Sequence, residues 1–171
     1  MSAILLQEIT SSEFAGLREK INIALVPIGA LEEHGFHLPL GLDSLHAWEL
    51  ARAVSALHPC LVAPLVFYGL CRSTSEHAGT ISISGNTLQM LLQDIGLGLA
   101  RQGMKAVCFL TGHAGGTHWG RIIEAGEYLL QHTQLQVATV SVMDLLKEAG
   151  NFLECRVDSH AGEMETSVMM Y

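Results

Sequence analysis

Apolar residues along this chain fall into two kinds of run. Short continuous ones occupy 23–27 (IALVP), 61–66 (LVAPLV), 106–110 (AVCFL) and 137–143 (VATVSVM). They are apolar at successive positions, which is the pattern of strands buried on both faces. A shorter strand is expected at 80–84 (TISIS). Between these runs the apolar residues recur at three- and four-residue spacing. Leu45, Trp48, Ala51 and Val54, supplemented by Ala47, Leu50 and Leu57, predict an amphipathic helix over 44–57. Leu88, Leu91, Leu92, Ile95 and Leu99 form a second stripe, which Asn86 or Thr87 would cap and Gly103 would end. Further helices are expected near 119–132 and over 163–170. Alternation of this kind predicts an α/β fold, with a mostly parallel sheet covered on both sides.

Such sheets carry their sites at the carboxyl ends of strands. The segment EEHGFHLPLGLD, residues 32–43, leaves the first long strand, and His113 leaves the AVCFL strand. Both therefore belong at one rim of the sheet.

Composition narrows the function classes. At 171 residues with 49% hydrophobic and 15% charged, the chain is long enough for one domain with a real core, and extended disorder is excluded. A net charge of −8 argues against nucleic-acid partners and anionic membranes, which require a basic face. The four cysteines form no C-x-x-C pair, and Cys60 and Cys108 lie in apolar runs, so reduced buried thiols are expected. The opening MSAILLQEITSSEF lacks a basic start and a signal-length apolar segment. No apolar stretch approaches the roughly 20 residues of a membrane span. The expected location is cytoplasmic.

Three segments carry candidate chemistry. In the first, Glu32, His34 and Asp43 fit either a metal site or a solvated acidic loop. Gly35, Pro39 and Gly41 suit a sharply bent backbone, and Phe36, Leu38, Leu40 and Leu42 suggest that the loop packs down. Carboxylates held in a packed loop need partners, and a divalent cation serves several at once. Glu33 and His37 read equally well as surface groups. In the second, TGHAGGTH (111–118), His113 sits on a glycine-rich turn; a dinucleotide fingerprint is excluded because G-x-G-x-x-G is absent. In the third, SHAGEMETS (159–167), His160 and Glu165 flank the entry to the last helix, where Glu163 and Glu165 also suit the helix dipole.

Taken in order and spacing, PIGALEEHGFHLPLGLD, GTISI, TGHAGG and HAGEMETS resemble the creatininase (creatinine amidohydrolase) family over most of the chain. The resemblance implies a three-layer α/β/α fold, one domain over 1–171, and a chain short at its C-terminus relative to the family. It also implies two divalent metal ions and a homo-oligomer. By position, Glu32, Asp43 and His113 look like ligands of one ion, His34 and Glu165 of the other, with Asp43 bridging. Creatininase itself has a carboxylate ligand two residues after the TGH-type histidine; here that place is Gly115, which is why Glu165 is chosen. His160 matches the family's catalytic histidine. Where relatives have an acid–histidine pair before GTIS, this chain has Ser73 and Thr74, leaving His77 as a substrate contact by another route or as a surface histidine.

Histidine and carboxylate donors suit zinc, manganese or iron. A bound metal lowers the pKa of water from about 15.7 to about 7. The expected reaction is hydrolysis of a C–N amide bond in a small cyclic amide or formamide-like substrate by metal-activated water, with His160 passing a proton to the leaving nitrogen. The alternative is a catalytically weak metal-binding or assembly protein of the same fold. A metallohydrolase of phosphate or ester bonds is a third reading, against which the nine Lys and Arg argue where phosphate is concerned.

Overall fold

A computed structural model describes residues 2–149 and 153–171. Its five strands are β1 (Ile4–Leu5), β2 (Ile23–Ile28), β3 (Leu61–Val62), β4 (Ala106–Thr111) and β5 (Gln136–Ser141). They form one all-parallel sheet in the order β1-β3-β2-β4-β5. Among the described residues, six α-helices connect or follow them: α1 (Ser11–Leu17), α2 (Leu42–Leu57), α3 (Gly85–Arg101), α4 (Gly116–His132), α5 (Val142–Ala149) and α6 (Glu163–Met170).

Strand periodicity distributes the core between two layers. Ala24, Val26 and Ile28 of β2 point toward Leu88, Leu92 and Leu99 of α3 and Ile122, Ala125 and Leu129 of α4. Leu25, between them in sequence, joins Ala51 of α2, Leu110 of β4 and Val142 of α5 in the opposite layer. The result is the expected three-layer α/β/α arrangement. From β2 the chain crosses to β3 on one side, while β4 pairs on the other. The carboxyl ends of β2 and β4 thus flank the crevice where parallel sheets bind ligands.

Departures from the sequence expectations have local causes. The 61–66 strand is confined to Leu61–Val62, because Pro64 offers no N–H to the ladder; pairing resumes as one bridge, Val66 to Ile28. TISIS is not a strand: Ile81 makes a single antiparallel bridge to Leu31 and is half exposed. Helix α3 is capped by Ser84, whose hydroxyl accepts Thr87 N–H at 3.1 Å, in place of Asn86 or Thr87. Leu91 lies on its exposed side. Val142 and Met143 open α5 instead of extending β5. The N-terminal β1 and α1 had no counterpart in the apolar pattern; α1 is held by a Thr10–Glu13 capping box. Among the described residues, no helix is long and apolar enough to cross a membrane.

Candidate metal centre

The turn after β2 places Glu32 and His34; the first turn of α2 supplies Asp43; the end of β4 leads to His113; the first turn of α6 supplies Glu165. All five side chains are buried. Gly112 makes the approach of β4 to α2 possible: a Cβ there would stand 2.0 Å from the Asp43 carbonyl oxygen. Asp43 in turn sits at a helix N-terminus, where the dipole favours an anion.

The donor atoms converge. Asp43 Oδ2 lies 2.9 Å from His113 Nδ1, and Asp43 Oδ1 lies 3.2 Å from His34 Nε2. Glu32 Oε2 is 3.0 Å from His113 Nδ1, and Glu165 Oε2 is 3.9 Å from His34 Nε2. One carboxylate thus stands between two nests, Glu32–Asp43–His113 and His34–Asp43–Glu165. Each histidine has its other nitrogen committed. His113 donates Nε2–H to the Leu70 carbonyl at 3.2 Å, and His34 donates Nδ1–H to the Glu32 carbonyl at 3.0 Å. Such bonds fix the tautomer and aim the remaining lone pair, the usual preparation of a metal ligand.

Electrostatics show what the nests demand. Burial disfavours charge on Asp43, yet the His113 and His34 imidazoles outweigh it and hold the carboxyl at about 2. Burial likewise lowers His113 and His34, but the facing carboxylates raise them to about 10 and about 9. Glu32 is drawn down, against burial, by His113 and Thr74, whereas burial raises Glu165. The carboxylates thus favour positive charge on the imidazoles that face them. Yet Glu32 Oε2, His34 Nε2 and Asp43 Oδ2 are buried with no hydrogen-bond partner among the described residues. Donor atoms of His34, Asp43 and Glu165 lie within 4.8 Å of one another, and His113 Nδ1 stands about equally far from Glu32 and Asp43, so each nest surrounds one point. Divalent cations fit these points.

Surrounding groups support these five side chains. Thr74 donates its hydroxyl to Glu32 Oε1. His118 is fully buried: its Nδ1 accepts Leu70 N–H at 3.1 Å, so its Nε2–H donates to Thr111 Oγ1 at 3.1 Å. Burial and the neighbouring His113 push His118 down to about 3, so it stays neutral. Thr111 Oγ1 also accepts His113 N–H at 3.1 Å. The signal in the sequence for His118 is its recurrence five residues after His113, on the helix that the same turn opens. Cys71 is another buried neighbour, its thiol pushed up to about 12 by burial and by the Glu32 and Asp43 charges.

His160 reaches the centre from the loop before α6. Its ring lies against His34, centroids 4.4 Å apart, and its Nε2–H donates to the Glu33 carbonyl at 2.6 Å. Ala161 holds a left-handed backbone, φ 56°, and its N–H donates to Glu165 Oε2 at 2.6 Å. That strained residue thus couples His160 to Glu165. A cavity of about 480 Å³ opens beside Glu32, His113, His160 and Glu165.

Other expectations resolve differently. His77 sits exposed in the turn between Thr74 and Thr80 and does not line that cavity. The loop is not packed down throughout: Leu42 is buried, but Phe36 is fully exposed beyond the Gly35 turn at φ 68°. His37 bonds Thr166 Oγ1 of α6 at 3.1 Å, and Glu33 Oε2 accepts Gly35 N–H at 2.9 Å. Gly115 leaves no room for a side chain, since its Cβ would stand 2.6 Å from His113 Nε2.

Comparison with known proteins places the chain among its relatives. The mycofactocin precursor peptide peptidase of Mycobacterium tuberculosis is 32% identical over 178 residues, covering 95% of this chain and 62% of its own length. That of Mycolicibacterium smegmatis is 29% identical over 164 residues, covering 91% and 60%. The chain spans about three fifths of the length of these curated relatives. A solved structure described as "Creatininase Mn" superposes with a TM-score of 0.87 at 26% identity, over 98% of this chain and 72% of the other. A mutant creatininase of Zn-Zn type gives 0.88 at 26% identity, over 99% and 72%. The family model described as "Creatininase: Creatinine amidohydrolase" matches residues 7–171, and this chain belongs to the creatininase family.

Proposed function

We propose that this chain is a binuclear metal-dependent amidohydrolase whose site lies within a single creatininase-like domain. The observation that carries the reading is the Asp43 carboxylate, whose two oxygens face His113 and His34 in separate nests. Glu32, Asp43 and His113 would hold one divalent ion, and His34, Asp43 and Glu165 the other. Such ions, when bound, lower the pKa of water and polarise an amide carbonyl.

The chain's own residues supply the rest. His160 is fixed by the Glu33 carbonyl on its Nε2–H, which leaves Nδ1 as the base. Standing against His34 at the cavity, it can take up a proton and deliver it to the leaving nitrogen. Burial of the carboxylates keeps competing water away from them. The cavity admits a small amide, cyclic or formamide-like. A second reading, cleavage of a peptide amide, is favoured by the relatives named as peptide peptidases. Phe36, fully exposed two residues beyond His34, is the apolar group that the expected homo-oligomer would cover.

Elemental analysis of protein purified without added metal should give two divalent ions per chain, from among zinc, manganese and iron. The metal-loaded protein is then assayed against cyclic amides, formamides and short peptides. Hydrolysis that survives full metal removal, or a stoichiometry of one ion or none, would sink the proposal. The panel itself decides between small amide and peptide.

A further inference from the structure

We infer that Cys71 supplies a sulfur donor to the ion position framed by Glu32, Asp43 and His113, making the two metal positions unequal. The inference rests on the reading that this cluster holds divalent ions. Ligand atoms of Glu32, Cys71 and His113 all lie within 4.8 Å of one another, and all three side chains are buried. Glu32 Oε2 has no hydrogen-bond partner among the described residues. The Cys71 backbone N–H, not its sulfur, makes the bond to Ser82 Oγ at 2.9 Å. The carbonyl just before it, that of Leu70, receives His113 Nε2–H, which fixes this backbone against the imidazole ring.

Zinc–sulfur bonds of about 2.3 Å and zinc–nitrogen bonds of about 2.0–2.1 Å put neighbouring tetrahedral donors roughly 3.5 Å apart. As the sulfur–metal bond forms, the S–H proton passes to water. Asp43 Oδ2, 2.9 Å from His113 Nδ1, would be the fourth protein donor here, whereas His34, Asp43 and Glu165 offer three. Four-donor positions retain their ion; three-donor positions keep a place for water or substrate. The open position is the one against His160. A thiolate also biases the closed position toward zinc over manganese.

Cobalt(II) loading tests this directly, because thiolate coordination gives a sulfur-to-cobalt charge-transfer band in the near ultraviolet. Cys155 is exposed beside Asp158, so the measurement is made in a Cys155→Ser background. The band should appear there, and Cys71→Ser or Cys71→Ala should abolish it. Under competition from a zinc chelator, one of the two zinc ions should be released at least about tenfold more readily from Cys71→Ser. Two bound cobalt ions without the band in the Cys155→Ser protein would overturn this inference alone, and that spectrum does not depend on the folding of a Cys71 variant. Absence of cobalt binding altogether would overturn the binuclear reading as well.

Discussion

Asp43 and His113 meet at 2.9 Å, through Oδ2 and Nδ1, where helix α2 begins and strand β4 ends. Because Asp43 also faces His34 through its other oxygen, it belongs to both nests. Asp43→Asn should therefore deplete both ions together. Metal analysis of the purified variant checks this: retention of one full equivalent would exclude a shared carboxylate.

His160 touches the nests without being buried in one. His160→Ala should lower kcat by about 10²–10⁴, the range for a lost general acid–base group, with metal content nearly unchanged. Paired metal analysis and steady-state kinetics separate the two effects. Loss of metal alongside turnover would make His160 a ligand and not a proton carrier.

The layered sheet was legible because β2 and β4 are apolar runs buried on both faces, and the five clustered residues because their segments resemble the creatininase motifs. What the sequence hid was set by partners distant along the chain. Thr74 looked like a gap in a family pattern, yet its hydroxyl reaches Glu32, 42 residues away. His118 resembled any helix histidine, and only the fold shows Leu70 and Thr111 on its two nitrogens. Phe36 matched the apolar alternation of its loop but is turned out at Gly35. His77 lay close to the motif in sequence, which does not bring it to the cavity.

Thr74 and His118 give a graded test of this supporting layer. Thr74→Val removes a donor to Glu32 and should weaken metal binding by about 10–100-fold. His118→Leu leaves the Leu70 N–H without its acceptor, at a cost of about 1–3 kcal/mol in stability, and loosens His113 through Thr111. Its metal affinity should fall as well. Denaturant midpoints and metal titrations, measured on the same preparations, read the two effects separately. His118→Leu with lowered stability but wild-type metal affinity would show that His118 supports the fold alone.

The metal-free protein should have an unusual pH profile. His34 and His113 are raised from 6.5 to about 9 and about 10, so between 6.5 and those values the folded chain holds more protons than the unfolded one. Their contribution is complete below 6.5 and is lost as pH rises through about 9 and 10. His118, lowered to about 3, has the opposite sign: below 6.5 the unfolded chain takes a proton that the folded chain refuses until about pH 3. Asp43, depressed from 3.8 to about 2, adds a loss as pH falls through that interval. The two slopes meet near pH 6.5, where thermal stability of the metal-free protein should be greatest. Ions entering the nests take the place of the protons on His34 and His113, so zinc binding at pH 8 should release protons, and it should flatten the alkaline limb. Melting curves from pH 4 to 10, with and without zinc, together with calorimetry in buffers of different ionisation heat, measure both. An alkaline limb that is flat before zinc is added would mean that the carboxylates do not hold the histidines charged.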